Sequence, residues 1–297
     1  MALFSKKTTL VHHITYMGIM TAINLIFIVL ATYIPFLMFL LILLLPFVST
    51  VVSYYCQKRY YLIYAVASVG LCLIFNISDT IFYVVPAIVT GFLIGLLLEK
   101  KINPFWLILS STVVESALTF ALIPLINLIG NVDIVYTFLA LFKLTEFTYK
   151  TEVTYLFIFF LSLVQCSITH FVLLSDAKKI GIDVSFEVNT YSPYIIGTEL
   201  MLILSLVFSF FYTPLALVFL TISFYFAVFL LIDLILCKKK LVYVLLGISL
   251  VVGFFTFAFL YAMIKRPLGL LILLVFPFFV SLVSFINNYL LKGNNNT

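Results

Sequence analysis

Ten apolar runs follow one another along this chain, at 14–33, 36–55, 61–77, 81–98, 105–127, 153–174, 194–211, 215–236, 241–263 and 268–290. A hydrocarbon core takes about 20 apolar residues per helix. Membrane-barrel strands would show polar residues at every second position, and these runs do not. The expected fold class is therefore all-α: a polytopic helical membrane protein with about ten transmembrane helices.

Composition closes off the alternatives. Hydrophobic residues make up 65% of the 297 and charged residues 9%, against about 45–50% and about 25% in soluble domains. No core of this size hides such an excess. That excludes a soluble enzyme, a nucleic-acid binder and a disordered chain. The net charge of +5 is a topology signal, because the basic residues flank the apolar runs. Starting inside, the inner segments hold Lys6, Lys7, Lys58, Arg59, Lys100, Lys101, Lys178, Lys179, Lys238, Lys239, Lys240 and Lys292. The outer segments hold Lys143, Lys150, Lys265 and Arg266. Twelve against four predicts a cytoplasmic N-terminus. Lys265 and Arg266 fall outside, so one of the last two runs is a candidate for incomplete crossing, and eight to ten spans are compatible with the pattern. The first run is expected to be a retained helix rather than a signal peptide. The localisation expected is a cell membrane, with the lipid bilayer as the first partner.

Two longer connections divide the chain. Residues 128–152 lie outside and contain an amphipathic stretch, Ile134 to Leu144. Residues 175–193 lie inside, with Gly181 and Pro193. The expected organisation is a six-helix membrane domain over 1–175, a cytoplasmic connecting loop over 176–193, about four membrane helices over 194–291 and a tail over 292–297. No internal repeat is evident.

Polar residues inside apolar spans are costly and tend to face the bundle interior. Glu115 lies mid-way along the fifth run, with Ser111, Thr112 and Thr119 at helical spacing on the same face. The sixth run carries Ser162, Gln165, Cys166 and Thr169, with His170 beside them. The third carries Ala65, Ser68, Cys72 and Asn76, and the first Thr21 and Asn24. Two readings compete: a polar pocket between spans, or hydrogen-bonded glue between helices. On the pocket reading the substrate-binding candidates are Glu115, Gln165 and Asn24, with Asn76 and Asp79 at the outer rim. Glu199 and Asp233 lie near inner span ends, where the interface or nearby lysines would take them. Gly18 and Ala22 form a small-residue pair at spacing four, and Gly91 and Gly95 form another; both mark partner-helix packing faces.

Cys56, Cys72, Cys166 and Cys237 show neither CxxC pairs nor zinc spacing, so no metal, cofactor or disulfide is expected. There is no Walker A loop, HExxH or GxSxG. The chain is not expected to be an enzyme, and it carries no P-loop ATPase of its own.

The opening HHITYMGIMTAINLIFIVLATYIP, with six runs in the first 175 residues and an inside N-terminus, resembles the substrate-binding (S) subunits of energy-coupling factor transporters. That resemblance implies a solute, typically a vitamin or metal ion, bound near the outer side. It also implies a transmembrane coupling subunit with ATPases as partner, docked on the small-residue face at Gly18 and Ala22. The whole chain, through LLSDAKKIGIDVSFEVNTYSPYIIG, resembles the YybS-like family of multi-pass bacterial membrane proteins, which implies placement in the membrane rather than an activity. The tail YLLKGNNNT departs from that family's basic, Arg-containing end. The expected function is a small-solute-binding or transport subunit. The alternatives are a non-transporting scaffold for another membrane complex and a lipid-acting membrane enzyme using Glu115 or His170.

Overall fold

The computed structural model describes residues 6–130, 133, 135–136, 140, 150–180, 191–236, 240–263 and 275–290, excepting the side chains of 35–42, 130, 176–180, 191–192, 257–263 and 289–290. The expected stretch Ile134–Leu144 (apart from scattered residues), Asn131, Lys143, Gly181, Cys237, Lys265, Arg266 and the tail with Lys292 lie outside the described residues.

The regular structure among the described residues is helical. The helices are α1 (Leu10–Tyr33), α2 (Pro35–Tyr55), α3 (Lys58–Phe75), α4 (Ile77–Glu99), α5 (Pro104–Gly130), α6 (Lys150–Ile180), α7 (Tyr191–Ser209), α8 (Thr213–Leu236), α9 (Lys240–Met263) and α10 (Val275–Phe285, continued by a π-helical turn, Ile286–Leu290). Six of them (α1, α3, α4, α5, α6 and α8) are long and apolar enough to cross a membrane. The described apolar stretches of the other four are shorter, at 10–17 residues. Large apolar side chains such as Leu62, Val66 and Ile74 on α3 are exposed, as a lipid-facing surface requires.

Local chemistry sets the helix ends. Thr9 caps α1 by accepting from the His12 N–H at 3.3 Å. Pro35 and Pro104 open α2 and α5, where a missing N–H costs nothing. A single residue, Asn76, joins α3 to α4, so the outer loop expected there is almost absent. Pro86 lies just after a π-helical turn in α4, Thr80–Val84, where the Val85 N–H reaches back to the Thr80 carbonyl. That turn accommodates a residue with no N–H of its own. α4 ends in a Schellman-type cap: the Ile102 N–H donates to the Leu97 carbonyl and the Lys101 N–H to the Leu98 carbonyl, each at 3.0 Å. The residue turned left-handed there is Lys101, at φ 53°, where glycine is the usual choice.

The chain separates into two compact units. Unit 1 comprises Met1–Phe142 and Phe157–Phe186; unit 2 comprises Lys143–Leu156 and Glu187–Thr297. Helix α6 continues to Ile180 and α7 begins at Tyr191, so both helices reach into the connection read from sequence as 176–193.

In unit 1, α1 packs on α2 and α3, α2 on α4, and α4 on α5. The α2–α4 approach is the closest. A Cβ added at Gly91 would stand 2.4 Å from Ser49 Cβ and 2.7 Å from the Pro46 carbonyl oxygen. At Gly95 it would stand 2.5 Å from Ser53 Cβ. The packing face of Gly91 and Gly95 therefore meets α2. At one end of the unit, Glu99 takes Lys6 at 2.9 Å and Lys58 at 3.0 Å, which ties the N-terminal segment and the α2–α3 turn to the end of α4.

In unit 2, α7 and α8 run antiparallel. The Tyr194 ring stacks on Phe229 at 5.5 Å, Gly197 lies against Phe226, and the Ser205 hydroxyl donates to the Ala216 carbonyl at 2.8 Å. Helix α10 packs on α7, α8 and α9 around Ile195, Ala227, Leu230, Leu234, Val242, Leu246, Val280 and Val283.

Candidate functional site

Unit 1 contains two kinds of polar region, although their sequences look alike. The first joins α1, α2 and α3. Thr21 and Ser68 share a hydrogen bond at 3.1 Å. The Asn24 amide donates to the Tyr64 hydroxyl at 2.7 Å, and Ser49 meets the same hydroxyl at 3.0 Å. One turn earlier on α3, the Tyr61 hydroxyl donates to the Ile88 carbonyl of α4 at 2.7 Å. These groups are buried, and their bonds run from helix to helix. Asn24, a pocket candidate by sequence, spends its amide donor on this network.

The second region is a seam between α5 and α6. Glu115 is 2% exposed. The Cys166 thiol donates to Glu115 Oε2 at 3.1 Å, which brings together two residues 51 apart in sequence. Around this pair the spacing of α5 places Ser111, Thr112 and Thr119 on the carboxyl's face, and that of α6 places Thr169 on the face of Cys166. The Thr119 hydroxyl turns back to the Glu115 carbonyl at 2.9 Å. The hydroxyls of Ser111 and Thr169 are buried with no hydrogen-bond partner among the described residues, and that of Thr112 lies within reach of the Cys166 thiol. Gln165 and His170, on the same helix, are also buried. No Lys or Arg pairs with Glu115 among the described residues.

The remaining candidates fall elsewhere. Asn76 and Asp79 bond each other: the Asn76 amide donates to Asp79 Oδ2 at 2.6 Å, and the Asp79 N–H donates to Asn76 Oδ1 at 3.0 Å. This is a helix cap, and the Thr80 hydroxyl completes it by donating to the Asn76 carbonyl at 2.6 Å. Along α3, Asn76 lies roughly 18 Å from Tyr64, the partner of Asn24. The structure thus pairs Glu115 with Cys166 of α6 and Asn76 with Asp79, while Asn24 gives its amide donor to Tyr64 and keeps Oδ1 buried without a partner among the described residues. Gly18 and Ala22 lie on the exposed face of α1, and nothing stands within 4 Å of a Cβ added at Gly18.

Two features had no clear sequence signal. Tyr64 is a hub, but among 18 tyrosines it looks like an interfacial residue. Glu199, expected to reach the interface or a lysine, accepts from the Ser281 hydroxyl of α10.

Chemically, the α5–α6 seam offers one carboxyl, one thiol and several hydroxyls in an apolar surround. Carboxyl, thiol and hydroxyl groups are all capable of hydrogen bonding to a small polar solute. Among the described residues, no group of three His, Cys, Asp or Glu is placed to hold a metal ion. The Cys56 thiol, at the α2–α3 turn, is pushed up to about 11 by burial, which keeps it in the unreactive thiol form at neutral pH. No family model, curated protein or solved structure matches this chain.

Proposed function

We propose that unit 1 binds a small polar solute at the α5–α6 seam, with Glu115 as its anchor, and works as the solute-capture subunit of a transporter driven by separate ATPases. The observation that carries this reading is Glu115, sealed mid-helix with a thiol as its side-chain donor. A buried carboxyl has to be met by a proton, a cation or a donor-rich ligand, because an uncompensated charge there is strongly unfavourable. The hydroxyls of Ser111 and Thr169, unpartnered among the described residues, add hydrogen-bonding groups that a solute can use. Gln165 is a further contact for the solute. The N-terminus lies on the cytoplasmic side, and the exposed Gly18–Ala22 face of α1 meets the transmembrane coupling subunit. This assignment agrees with the resemblance of the first 175 residues to S subunits.

The scaffold reading draws on the same exposed α1 face, with an unrelated membrane complex in place of the coupling subunit. One experiment separates the two. The full-length protein is purified from native membranes in mild detergent, and its companions are identified by mass spectrometry. Recovery of a coupling subunit with ATPases, lost in Gly18→Leu, supports solute capture. A bound small molecule lost in Glu115→Gln then identifies the solute class. A stable unrelated complex with no small molecule overturns that reading in favour of the scaffold.

A further inference from the structure

The strongest unassigned feature lies in unit 2, around Glu199. This carboxyl sits within α7 and is half-buried. The Ser281 hydroxyl of α10 is within hydrogen-bonding reach of Glu199 Oε1 and also of the Phe278 carbonyl, at 2.8 Å. A serine hydroxyl has one proton. It goes to Glu199 Oε1, the charged acceptor, and the lone pairs of Ser281 Oγ stay available to a cation.

Their surroundings add acceptors and no cationic donor. Ser284, one turn along α10 on the same face, is fully buried, and its hydroxyl has no partner among the described residues. Ser223 of α8 is fully buried and likewise unpartnered. The antiparallel register that sets Tyr194 beside Phe229, Gly197 beside Phe226 and Ser205 beside Ala216 brings Ser223 level with Glu199 and Leu200. No Lys, Arg or His occurs among the described residues of α7, α8 and α10. The other acid of these helices, Asp233, lies roughly 15 Å further along α8 from Ser223. Beyond Ser284, the row continues into the π-helical turn, where Asn287 Oδ1 is buried without a partner. Such turns recur at functional sites.

A cluster of oxygens with one formal charge and no cationic partner among the described residues suits a hard cation. The charge count selects a monovalent one. One carboxylate neutralises Na⁺, whereas a divalent ion would leave an uncompensated charge in an apolar surround. We infer that Glu199, Ser281, Ser284 and Ser223 form a binding site for an alkali-metal cation of sodium's size. The site lies wholly within unit 2 and does not depend on the solute proposed for unit 1.

The test uses the full-length protein in detergent. Equilibrium binding of ²²Na⁺ is measured alongside thermal unfolding in NaCl, KCl and choline chloride at equal ionic strength. The expected result is saturable binding of one Na⁺ per chain and a melting temperature higher in NaCl than in the other salts. Glu199→Gln abolishes both effects. Ser284→Ala, which removes only an oxygen, weakens binding at least threefold and keeps the result readable if Glu199→Gln fails to accumulate. Glu115→Gln leaves Na⁺ binding unchanged, so this site and the solute site stand or fall separately. Equal melting in NaCl and choline chloride, an equal response to KCl, or Na⁺ binding that survives Glu199→Gln or Ser284→Ala undiminished overturns the proposal.

Discussion

The α1–α3 network and the α5–α6 seam start from the same kind of sequence, a stripe of small and polar residues on an apolar helix. They end differently. In the network, Thr21 finds Ser68, and Asn24 and Ser49 converge on Tyr64. In the seam, a carboxyl meets a thiol, while the hydroxyls of Ser111 and Thr169 meet nothing among the described residues. A polar group that pairs with a neighbouring helix holds the bundle together. A buried polar group left unpaired is costly in apolar surroundings, and a ligand offsets that cost by pairing with it. Polarity within a span therefore says little about function; whether each group is satisfied says more.

Four substitutions test this contrast. Glu115→Gln has the largest expected effect: retention of the co-purified solute falls by about tenfold or more, the loss of a charge-assisted hydrogen bond worth about 1.5–3 kcal/mol. Thermal stability changes little, because glutamine keeps an acceptor oxygen for the Cys166 thiol. Mass spectrometry and a melting curve on the same preparation read both quantities, and a large drop in melting temperature with unchanged retention would assign Glu115 to the glue. Next is Gly91→Ala, which pushes α2 from α4 and costs about 1–3 kcal/mol by overpacking. Ser49→Gly does not rescue it, since the Pro46 carbonyl and Thr50 nitrogen also lie within 2.8 Å of the new Cβ. Full recovery of the melting temperature in the double variant would show that side chains alone set the approach.

Tyr64→Phe comes third. It strands the Asn24 amide and the Ser49 hydroxyl in the network, at a cost of about 1–2 kcal/mol. Solute retention stays at the wild-type level, and a parallel loss of solute would merge the two regions into one site. The smallest effect is that of Lys101→Gly. Relieving the left-handed lysine at the end of α4 raises stability by up to about 1 kcal/mol. A lower melting temperature would mean that the Lys101 side chain contributes more than its backbone conformation costs.

Much of the architecture was legible because apolar runs and helices obey the same length rule. The helices formed by the described residues coincide with the ten runs, and six of them meet the requirement for crossing. The boundaries were less legible. The run ending at Gly130 and the one reaching Ile180 extend past their apolar limits, because a helix continues into polar sequence while its backbone bonds persist. Asn76 and Asp79 looked like rim residues, yet their i, i+3 spacing is also that of a cap, and this is how the chain uses it. Glu115 was visible as an unusual residue; that its donor would be Cys166 was not. Glu99 attracted no attention among the charges at the span ends, although it gathers Lys6 and Lys58.

The sequence by itself determined the helical class, the membrane setting and the approximate number and limits of the helices. Those properties follow from hydrophobicity and backbone hydrogen bonding, which act within each segment. Tertiary structure alone decided which polar groups are satisfied. It set Tyr64 between Asn24 and Ser49, Cys166 opposite Glu115 and Ser281 beside Glu199. A hydrogen bond between helices depends on which faces meet and at what register. Helical periodicity assigns residues to a face, but only packing chooses the face across from it.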